Sequence, residues 1–227
     1  MVIDMKEEEI YSLPLFPLNM VLFPFSRVQL HIFEQRYRQM IRFCLDNDQP
    51  FGIVMIRTGE EVEGEAEPYL IGTAVRIMDV YHFPDGRMDI TVLGTERFRI
   101  REFDASLPYL RGYVQPIGDG ARAETDVEMQ QLTNLARNYS DAMLRQLIDS
   151  TEFNASFVFP EDPEKLSFAI ASMLDLPLIR KQVLLESTDT FDRLEQLVAI
   201  LEHFLHRNRL SERKLSSTDL KDWVSPN

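Results

Sequence analysis

The stretch from residue 13 to residue 45 constrains the fold most, because its hydrophobic period changes from that of a strand to that of a helix. Two apolar runs, 13–16 and 20–23, each precede a proline, which lacks the N–H group that a central strand must donate. We therefore expect each run to be brief or to lie at a sheet edge. Residues 28–32 alternate between apolar and polar side chains, which is typical of a half-buried strand.

After this strand, apolar side chains recur at spacings of three and four, which predicts one buried face of a helix. The positions are Phe33, Tyr37, Met40, Ile41, Cys44 and Leu45. Cys44 is the single cysteine of the chain, so an intrachain disulfide is excluded. On the apolar side of a helix, a free thiol is expected to be a small core residue.

The rest of the front half predicts a sheet. Residues 51–56 form a continuous apolar run rich in β-branched side chains, as expected for a strand buried on both faces. Further strands are expected at 73–83, 87–93, 97–101 and 109–117. Pro84-Asp85-Gly86 predicts a hairpin turn, because proline presets φ and glycine accepts a left-handed conformation. A second turn is expected at 94–96.

The back half predicts helices, because no glycine follows Gly120 and the apolar residues recur with helical period. The expected helices cover about 125–147, 163–174, 177–186 and 189–213. The predicted fold class is α+β. We expect a β-rich subdomain at 1–120, a helical bundle with one long helix at 121–215, and a loose tail at 216–227.

The charge balance excludes several classes of partner. Lys and Arg number 24 against 37 Asp and Glu, a formal net charge of −13. Such a field repels polyanions over a Debye length of about 8 Å, which disfavours nucleic acids and anionic membranes. No apolar run approaches the ~20 residues that span a bilayer. No secretory signal is visible either, so we expect a cytoplasmic protein.

The sequence carries no common catalytic or metal-binding motif. The sequence contains neither GxSxG nor HExxH. His203 and His206, beside Glu202, have a spacing that fits a metal on one helical face, but metal ligands usually come from several elements. We therefore predict two solvated histidines, no cofactor, no metal and no enzymatic activity.

A set of short motifs resembles the amino-terminal domain of the Lon ATP-dependent protease family. They are LPLFPL at 13–18, VLFP at 21–24, IFEQRY at 32–37, IGT at 71–73, GTERF at 94–98 and QVLLE at 182–186. One position departs, since Phe25 stands where the family often has glycine. The resemblance implies a PUA-like pseudo-barrel with one inserted helix, followed by a helical bundle. It also implies a stand-alone form, because the ATPase module and the Ser–Lys dyad of Lon proteases lie downstream of the matched region.

In that family the domain engages unfolded or tagged polypeptides, so the resemblance implies a polypeptide-recognition module or an adaptor in proteolysis. The candidate partner-binding residues are Phe25, Phe33, Glu34, Arg36, Tyr37 and Arg38. The expected contacts are pairing with a β-edge and exposed aromatic rings. Phe16 and Phe23 are alternative aromatics, for which core packing is the favoured interpretation. A protease or chaperone partner and a homodimer are left open.

An alternative function is a small RNA-binding or anion-binding protein that uses the strand at 97–101. Its arginines, Arg97, Arg99 and Arg101, are expected on one face, with Arg87 and Arg111 as candidate neighbours. The competing interpretation is a solvated face paired with carboxylates such as Glu96 and Glu102. The net charge of the chain favours the second interpretation.

Overall fold

The structure, a computed structural model, describes residues 10–59, 66–120, 126–148 and 159–219, within which it contains seven strands and five helices. The strands are β1 (Tyr11–Leu18), β2 (Arg27–Ile32), β3 (Phe51–Thr58), β4 (Glu67–Pro68), β5 (Ile71–His82), β6 (Met88–Asp104) and β7 (Arg111–Ile117). The helices are α1 (Gln35–Asp46), α2 (Asp126–Ile148), α3 (Pro163–Met173), α4 (Leu178–Glu186) and α5 (Thr190–Asp219). None of these helices has the length and apolar character needed to cross a membrane.

The chain divides into two compact units. One contains residues 1–120 and 171–188, and the other contains residues 121–170 and 189–227. We call the first the barrel unit and the second the helical unit. The barrel unit therefore includes the end of α3 and all of α4, whereas the sequence predicted one contiguous division at residue 120.

The barrel closes through β1, whose two halves pair with different strands. Residues 11–14 pair antiparallel with β7, and residues 15–18 pair parallel with β3. Between them, β7, β6, β5 and β3 pair in sequence, so the circle is complete. Each half of β1 is paired on one side in these registers, and such a strand tolerates proline where its nitrogen faces the unpaired side. β1 continues through Pro17 to Leu18, so the run at 13–16 is not brief, and its pairing on one side at a time agrees with the expected edge position.

The predicted turn at 94–96 is also wrong, because β6 runs through these residues without a break. The glycine marks a close approach of main chains instead. The Gly94 N–H donates to the Ser26 carbonyl oxygen at 2.9 Å, and the Phe25 N–H donates to the Gly94 carbonyl oxygen at 2.9 Å. A Cβ atom at position 94 would lie 2.5 Å from the Phe23 carbonyl oxygen. The predicted hairpin turn is confirmed, with a φ of 83° at Gly86.

Two apolar clusters stabilise the barrel unit. One contains residues from each of the five strands that close the barrel, β1, β3, β5, β6 and β7. Its members are Leu13, Leu15, Val54, Ala74, Phe98, Ile100 and Val114. The other joins β1, β2, β3, β5 and β6 to the buried face of α1, formed by Tyr37, Met40, Ile41 and Cys44. Phe33 and Leu45 do not belong to that buried face, since 50% and 37% of their surfaces are exposed.

The helical unit is built on the contact between α2 and α5. Its buried apolar residues on these helices include Ala136, Met143, Leu194, Leu197, Leu201 and Leu205. Arg193 is buried among them, with its guanidinium 4.1 Å from the centre of the Phe168 ring and its Nε donating to the Ser167 hydroxyl at 2.7 Å. The helical period of apolar residues predicted for the last helix is confirmed, because Leu194, Leu197 and Leu201 of α5 are buried.

The helix ends agree with the sequence in part. α3 begins at Pro163 as predicted, and the Lys165 N–H donates to the Asp162 carboxylate at 2.8 Å, so Asp162 caps this helix. α5 continues to Asp219, beyond the predicted end near residue 213. The predicted start of the first of these helices at residue 125 and the tail from residue 220 onward lie outside the described residues.

Replacing Gly94 by alanine is expected to destabilise the barrel unit. The added methyl group would meet the Phe23 carbonyl oxygen, and overpacking of this kind costs about 1–3 kcal/mol. Gly118→Ala is the matched control, because no atom lies within 4 Å of its Cβ position. Urea unfolding measures both variants. Equal urea midpoints for the two variants would contradict the close approach of residues 23–26 to Gly94 of β6.

Cys44 is expected to make stability fall in mild alkali. Burial raises the pKa of its thiol to about 12, so the folded chain keeps a proton that the unfolded chain loses above about pH 8.5. The free energy of unfolding should therefore drop by about 1 kcal/mol between about pH 7.5 and 9.5. The Tyr11 hydroxyl, whose pKa burial and Glu96 raise to about 12, contributes only above about pH 10.

The measurement is urea unfolding as a function of pH. Cys44→Ala provides the control, since it should remove this slope whatever it does to the absolute stability. A wild-type slope that persists in the variant would assign the pH dependence to another group.

Candidate functional site

The strand β2 is the edge of the sheet with the most distinctive surroundings. Its six residues pair with residues 88–93 of β6, and no other described strand pairs with it. Burial alternates along it as the sequence predicted, with residues 27, 29 and 31 exposed and residue 32 buried. One face of β2 therefore belongs to the core and the other faces solvent.

The ladder between β2 and β6 determines which main-chain groups of β2 are bonded. The Gly94 N–H donates to the Ser26 carbonyl oxygen, and hydrogen-bonded positions repeat every second residue in an antiparallel pair. The even-numbered residues of β2 therefore bond to β6, and the odd-numbered residues direct their N–H and C=O groups away from it. The outward-bonding residues are Arg27, Gln29 and His31.

Two observations support this assignment. His31 lies directly opposite Asp89, and their side chains approach to 2.6 Å, which fits the closer spacing of a pair that is not hydrogen-bonded through the main chain. On the other side of β6, the Phe83 N–H donates to the Arg87 carbonyl oxygen at 2.9 Å. The odd-numbered residues of β6 in this region therefore bond to β5, which leaves the even-numbered ones for β2.

A cavity of about 150 Å³ adjoins β2. We call it the β2 cavity; it is lined by Phe16, Leu18, residues 29–34 and Tyr37. The rings of Phe16 and Tyr37 lie 4.1 Å apart, centre to centre, and both residues are buried. The lining thus combines the buried rings of Phe16 and Tyr37 with residues of β2 itself.

Aromatic side chains form an exposed row across β2 and the β5–β6 hairpin. The His31 ring stacks on Phe33 at 6.0 Å and meets Phe83 at 5.9 Å, and Tyr81 meets Phe83 edge to face at 4.9 Å. Half of the surface of Phe33 and 62% of that of Tyr81 are exposed. We call these four residues the aromatic ridge.

Arginines surround the same end of β2. The Arg36 Nε lies 3.0 Å from a Glu34 carboxylate oxygen, and its guanidinium lies 4.6 Å from the centre of the Tyr37 ring. The Arg38 Nη2 donates to the Asp85 carbonyl oxygen at 3.1 Å, whereas its buried Nε has no hydrogen-bond partner among the described residues.

The carboxylate of Asp85 is held ionised at the turn beside these arginines. The main-chain N–H of Arg87 donates to it at 3.0 Å, and the Arg87 guanidinium lies 2.6 Å from its other oxygen. These bonds lower the pKa of Asp85 below its usual range. The hairpin turn therefore remains paired with its arginine at neutral pH.

The six predicted binding residues do not form one cluster. Five of them, from Phe33 to Arg38, lie at the end of β2, although Tyr37 is buried and lines the β2 cavity. Phe25 lies in the turn before the other end of β2, two residues ahead of Arg27. It is half exposed and has a φ of 64°, so it adopts the conformation that glycine favours at this position.

Sequence reasoning missed His31, Tyr81 and Phe83. His31 was recognised as an outward residue of a strand, but nothing in the sequence placed β2 beside the hairpin that carries Tyr81 and Phe83. The alternation within each strand was the available signal. Phe16 and Phe23 are buried, as the favoured interpretation held.

The predicted basic face at 97–101 is wrong. Only 2% of the surface of Arg97 is exposed, and its guanidinium donates to the Leu185 carbonyl oxygen at 2.9 Å, to the Ser187 carbonyl oxygen and to the Asp119 carboxylate. Arg101 is exposed and donates to the Gln115 side chain at 2.7 Å. The partners are therefore not the neighbouring glutamates, and Arg97 is a structural residue of the barrel unit.

The remaining candidates are unremarkable in their surroundings. His203 and His206 are exposed on α5, and no group of three or more His, Cys, Asp or Glu side chains suited to a metal occurs among the described residues. Cys44 is buried, with its Sγ 4.0 Å from the Pro50 carbonyl oxygen, as expected for a core thiol.

Two larger grooves carry fewer features of a docking site. One, of about 460 Å³, adjoins β4 in the barrel unit, but β4 has two residues and the charged groups Arg57 and Glu67 on its lining bind each other. The other, of about 550 Å³, lies in the helical unit and is lined mainly by polar side chains such as Asn134 and Arg137. Neither combines an extended strand edge with exposed aromatic rings.

Comparison with known proteins identifies one domain family, described as the ATP-dependent protease La (LON) substrate-binding domain, which matches residues 12–203. Lon protease 2 of Myxococcus xanthus is 30% identical over 214 residues, which are 92% of this chain and 25% of that protein. The Lon protease of Desulforamulus reducens is 31% identical over 212 residues, 92% of this chain and 26% of that protein. The chain thus spans about a quarter of the length of the curated relatives it matches.

Solved structures agree with this result. The Lon N-terminal domain protein from Xanthomonas campestris is 28% identical, with a TM-score of 0.60, and the match covers 84% of this chain and 98% of that one. The N-terminal domain of Lon protease from the Mycobacterium avium complex gives a TM-score of 0.63 over 85% of this chain and 98% of that one. Its identity is 20%, so it supports the fold alone. The resemblance in sequence and the α+β fold class are confirmed.

Replacing Arg97 by methionine is expected to destabilise the barrel unit strongly. The change leaves the nearly buried Asp119 carboxylate and two carbonyl groups without the guanidinium, and breaking a buried pair costs about 3–5 kcal/mol. Arg101→Met is the control, because exposed substitutions usually stay within about 0.5 kcal/mol. Urea unfolding measures the stability of both variants. Similar small losses of stability in the two would indicate that Arg97 is exposed, as the sequence predicted.

Proposed function

The chain belongs to the family of Lon substrate-binding domains, and on that premise we propose that it is a non-catalytic module that binds unfolded or tagged polypeptide segments. A single observation carries the proposal. Along the edge of β2, the main-chain groups that point away from β6 pair with no other described strand, and this edge lies beside the β2 cavity and the aromatic ridge. Sheet edges and exposed aromatic rings are the features with which folded domains bind extended peptides independently of one fixed sequence.

The energetic basis lies in what an unfolded segment offers. Such a segment presents unsatisfied N–H and C=O groups and apolar side chains, both of which a folded competitor keeps internal. An apolar side chain that leaves water for the aromatic ridge gains roughly 25 cal/mol per Å² of buried surface. A domain with this surface therefore discriminates unfolded from folded chains through accessibility.

A role in proteolysis follows from the same premise. The relatives named above are Lon proteases, of which this chain matches about a quarter. We propose that the chain acts with a protease or chaperone, as an adaptor that presents captured segments. The observed surface requires no catalytic group of its own for this role.

Phe33 provides the test of this function. The probe is fluorescently labelled α-lactalbumin that has been reduced and carboxymethylated, so that it stays unfolded, with native α-lactalbumin for comparison. We expect micromolar binding of the unfolded form and about tenfold weaker binding by Phe33→Ser, or ~1.4 kcal/mol. Fluorescence anisotropy measures both.

The matched control is Phe103→Ser. Phe103 is 39% exposed and lies outside the aromatic ridge, so the same chemical change should leave affinity unaltered. If the wild-type chain binds native and unfolded probes equally, or binds neither, the proposed function is wrong. If both variants weaken binding alike, the ridge is not the binding surface.

A further inference from the structure

We propose that the bound segment joins the barrel unit as an added strand along the free edge of β2, with an apolar side chain in the β2 cavity and acidic side chains toward the surrounding arginines. The inference rests on the proposed function and specifies how that function is carried out. It commits to an extended polypeptide in which apolar and acidic residues alternate.

The main chain of β2 is ready for such an addition. Arg27, Gln29 and His31 direct their N–H and C=O groups away from β6, and this alternation matches the spacing of an incoming strand. Neighbouring outward-bonding residues are about 6.6 Å apart, because a strand rises ~3.3 Å per residue. A segment of about six residues therefore covers the six-residue edge.

The β2 cavity opens along the edge where this strand would be added. Leu30 and Ile32 from the half-buried face of β2 line it, and so do Gln29 and His31 from the exposed face. A strand residue that lies opposite Leu30 would turn its side chain in the same direction. A volume of about 150 Å³ has room for a benzene-sized group, which sets the size of the side chain that enters.

The charges around this site favour an acidic segment. Its corner, formed by the start of α1 and the β5–β6 turn, carries the arginines Arg36, Arg38, Arg42 and Arg87 and the carboxylates Glu34 and Asp85. Besides these groups, His31 is paired with Asp89. With Asp89 counted, the corner holds four arginines against three carboxylates, a formal excess of one positive charge in a chain whose formal net charge is −13. Carboxylates on a bound segment are therefore complementary to the corner.

A second copy of this chain is a poorer occupant. Two chains that each carry a net charge of −13 repel each other more strongly than one chain repels a segment with a few carboxylates, because the repulsion scales with the product of the two charges. The edge therefore suits a short acidic segment better than itself.

The first experiment uses a synthetic octapeptide that alternates leucine and glutamate, with binding followed by fluorescence anisotropy. Two further peptides carry N-methyl groups on all glutamate amides or on all leucine amides. A strand bonds along one edge through alternate residues, so exactly one of these peptides should lose affinity, by about tenfold or more. Loss with methylated glutamates indicates antiparallel addition, and loss with methylated leucines indicates parallel addition. Equal affinities for the two methylated peptides overturn strand addition.

The second experiment changes the protein at one outward N–H. Gln29→Pro removes this donor but leaves the ladder to β6, which uses the even-numbered residues of β2. Gln29→Ala is the reference, because both variants lack the Gln29 side chain and only the proline variant lacks the N–H. Gln29→Pro should bind both the octapeptide and unfolded α-lactalbumin about tenfold more weakly than Gln29→Ala does. Urea unfolding checks the fold. If the proline variant does not fold, the methylated peptides decide.

Four further outcomes distinguish a failure of this inference from a failure of the proposed function. A leucine–lysine octapeptide should bind more weakly than the leucine–glutamate one, and tighter binding overturns the acidic preference. Binding of unfolded α-lactalbumin that is unchanged in Gln29→Pro overturns strand addition and leaves the proposed function standing. Failure of the wild type to bind either probe overturns both. A dimer in sedimentation that Gln29→Pro dissociates assigns the edge to a second copy and also overturns the inference.

Discussion

The barrel depends on the way β1 divides its main-chain hydrogen bonds between two neighbours. Because Pro14 and Pro17 lack donors, this segment is unsuited to full pairing on both sides. Pairing its first half with β7 and its second half with β3 closes the circle with one bonded side at a time. Among the described strands, closure in this way uses five and leaves β2 and β4 outside the circle. The free edge of β2 is thus a consequence of how the barrel closes.

An open edge beside exposed aromatic rings is ordinarily a hazard, because other chains can pair with it. Here short length and charge limit that hazard. β2 has six residues, its solvent face carries Arg27 and the His31–Asp89 pair, and every copy of the chain bears the same large negative charge. The surface can remain available to a ligand while copies of the chain keep apart.

The sequence predicted the periodic elements well because their signals are local. Alternation identified β2, helical spacing identified α1 and α5, and Pro84-Asp85-Gly86 identified the hairpin. The sequence-based prediction failed where the role of a residue depends on contacts with residues far away in the chain. Gly94 resembles a turn residue but admits the loop at Phe23, and Arg97 resembles a surface residue but bonds to carbonyl groups near residue 186. The sequence predicted a strand edge with exposed aromatic rings only in kind, because the aromatic ridge depends on the pairing of β2 with the hairpin, which no local pattern encodes.

The return of residues 171–188 to the barrel unit makes the polypeptide cross between units more than once. In topological terms, residues 121–170 are an insertion into the barrel unit rather than its continuation. A fragment that ended at Gly120 would lack the Leu185 and Ser187 carbonyl groups, which accept hydrogen bonds from the Arg97 guanidinium. It would also lack Gln182, whose side-chain amide donates to the Ile71 carbonyl oxygen. The barrel therefore cannot be excised with one cut. A minimal barrel needs a short bridge in place of the inserted helices.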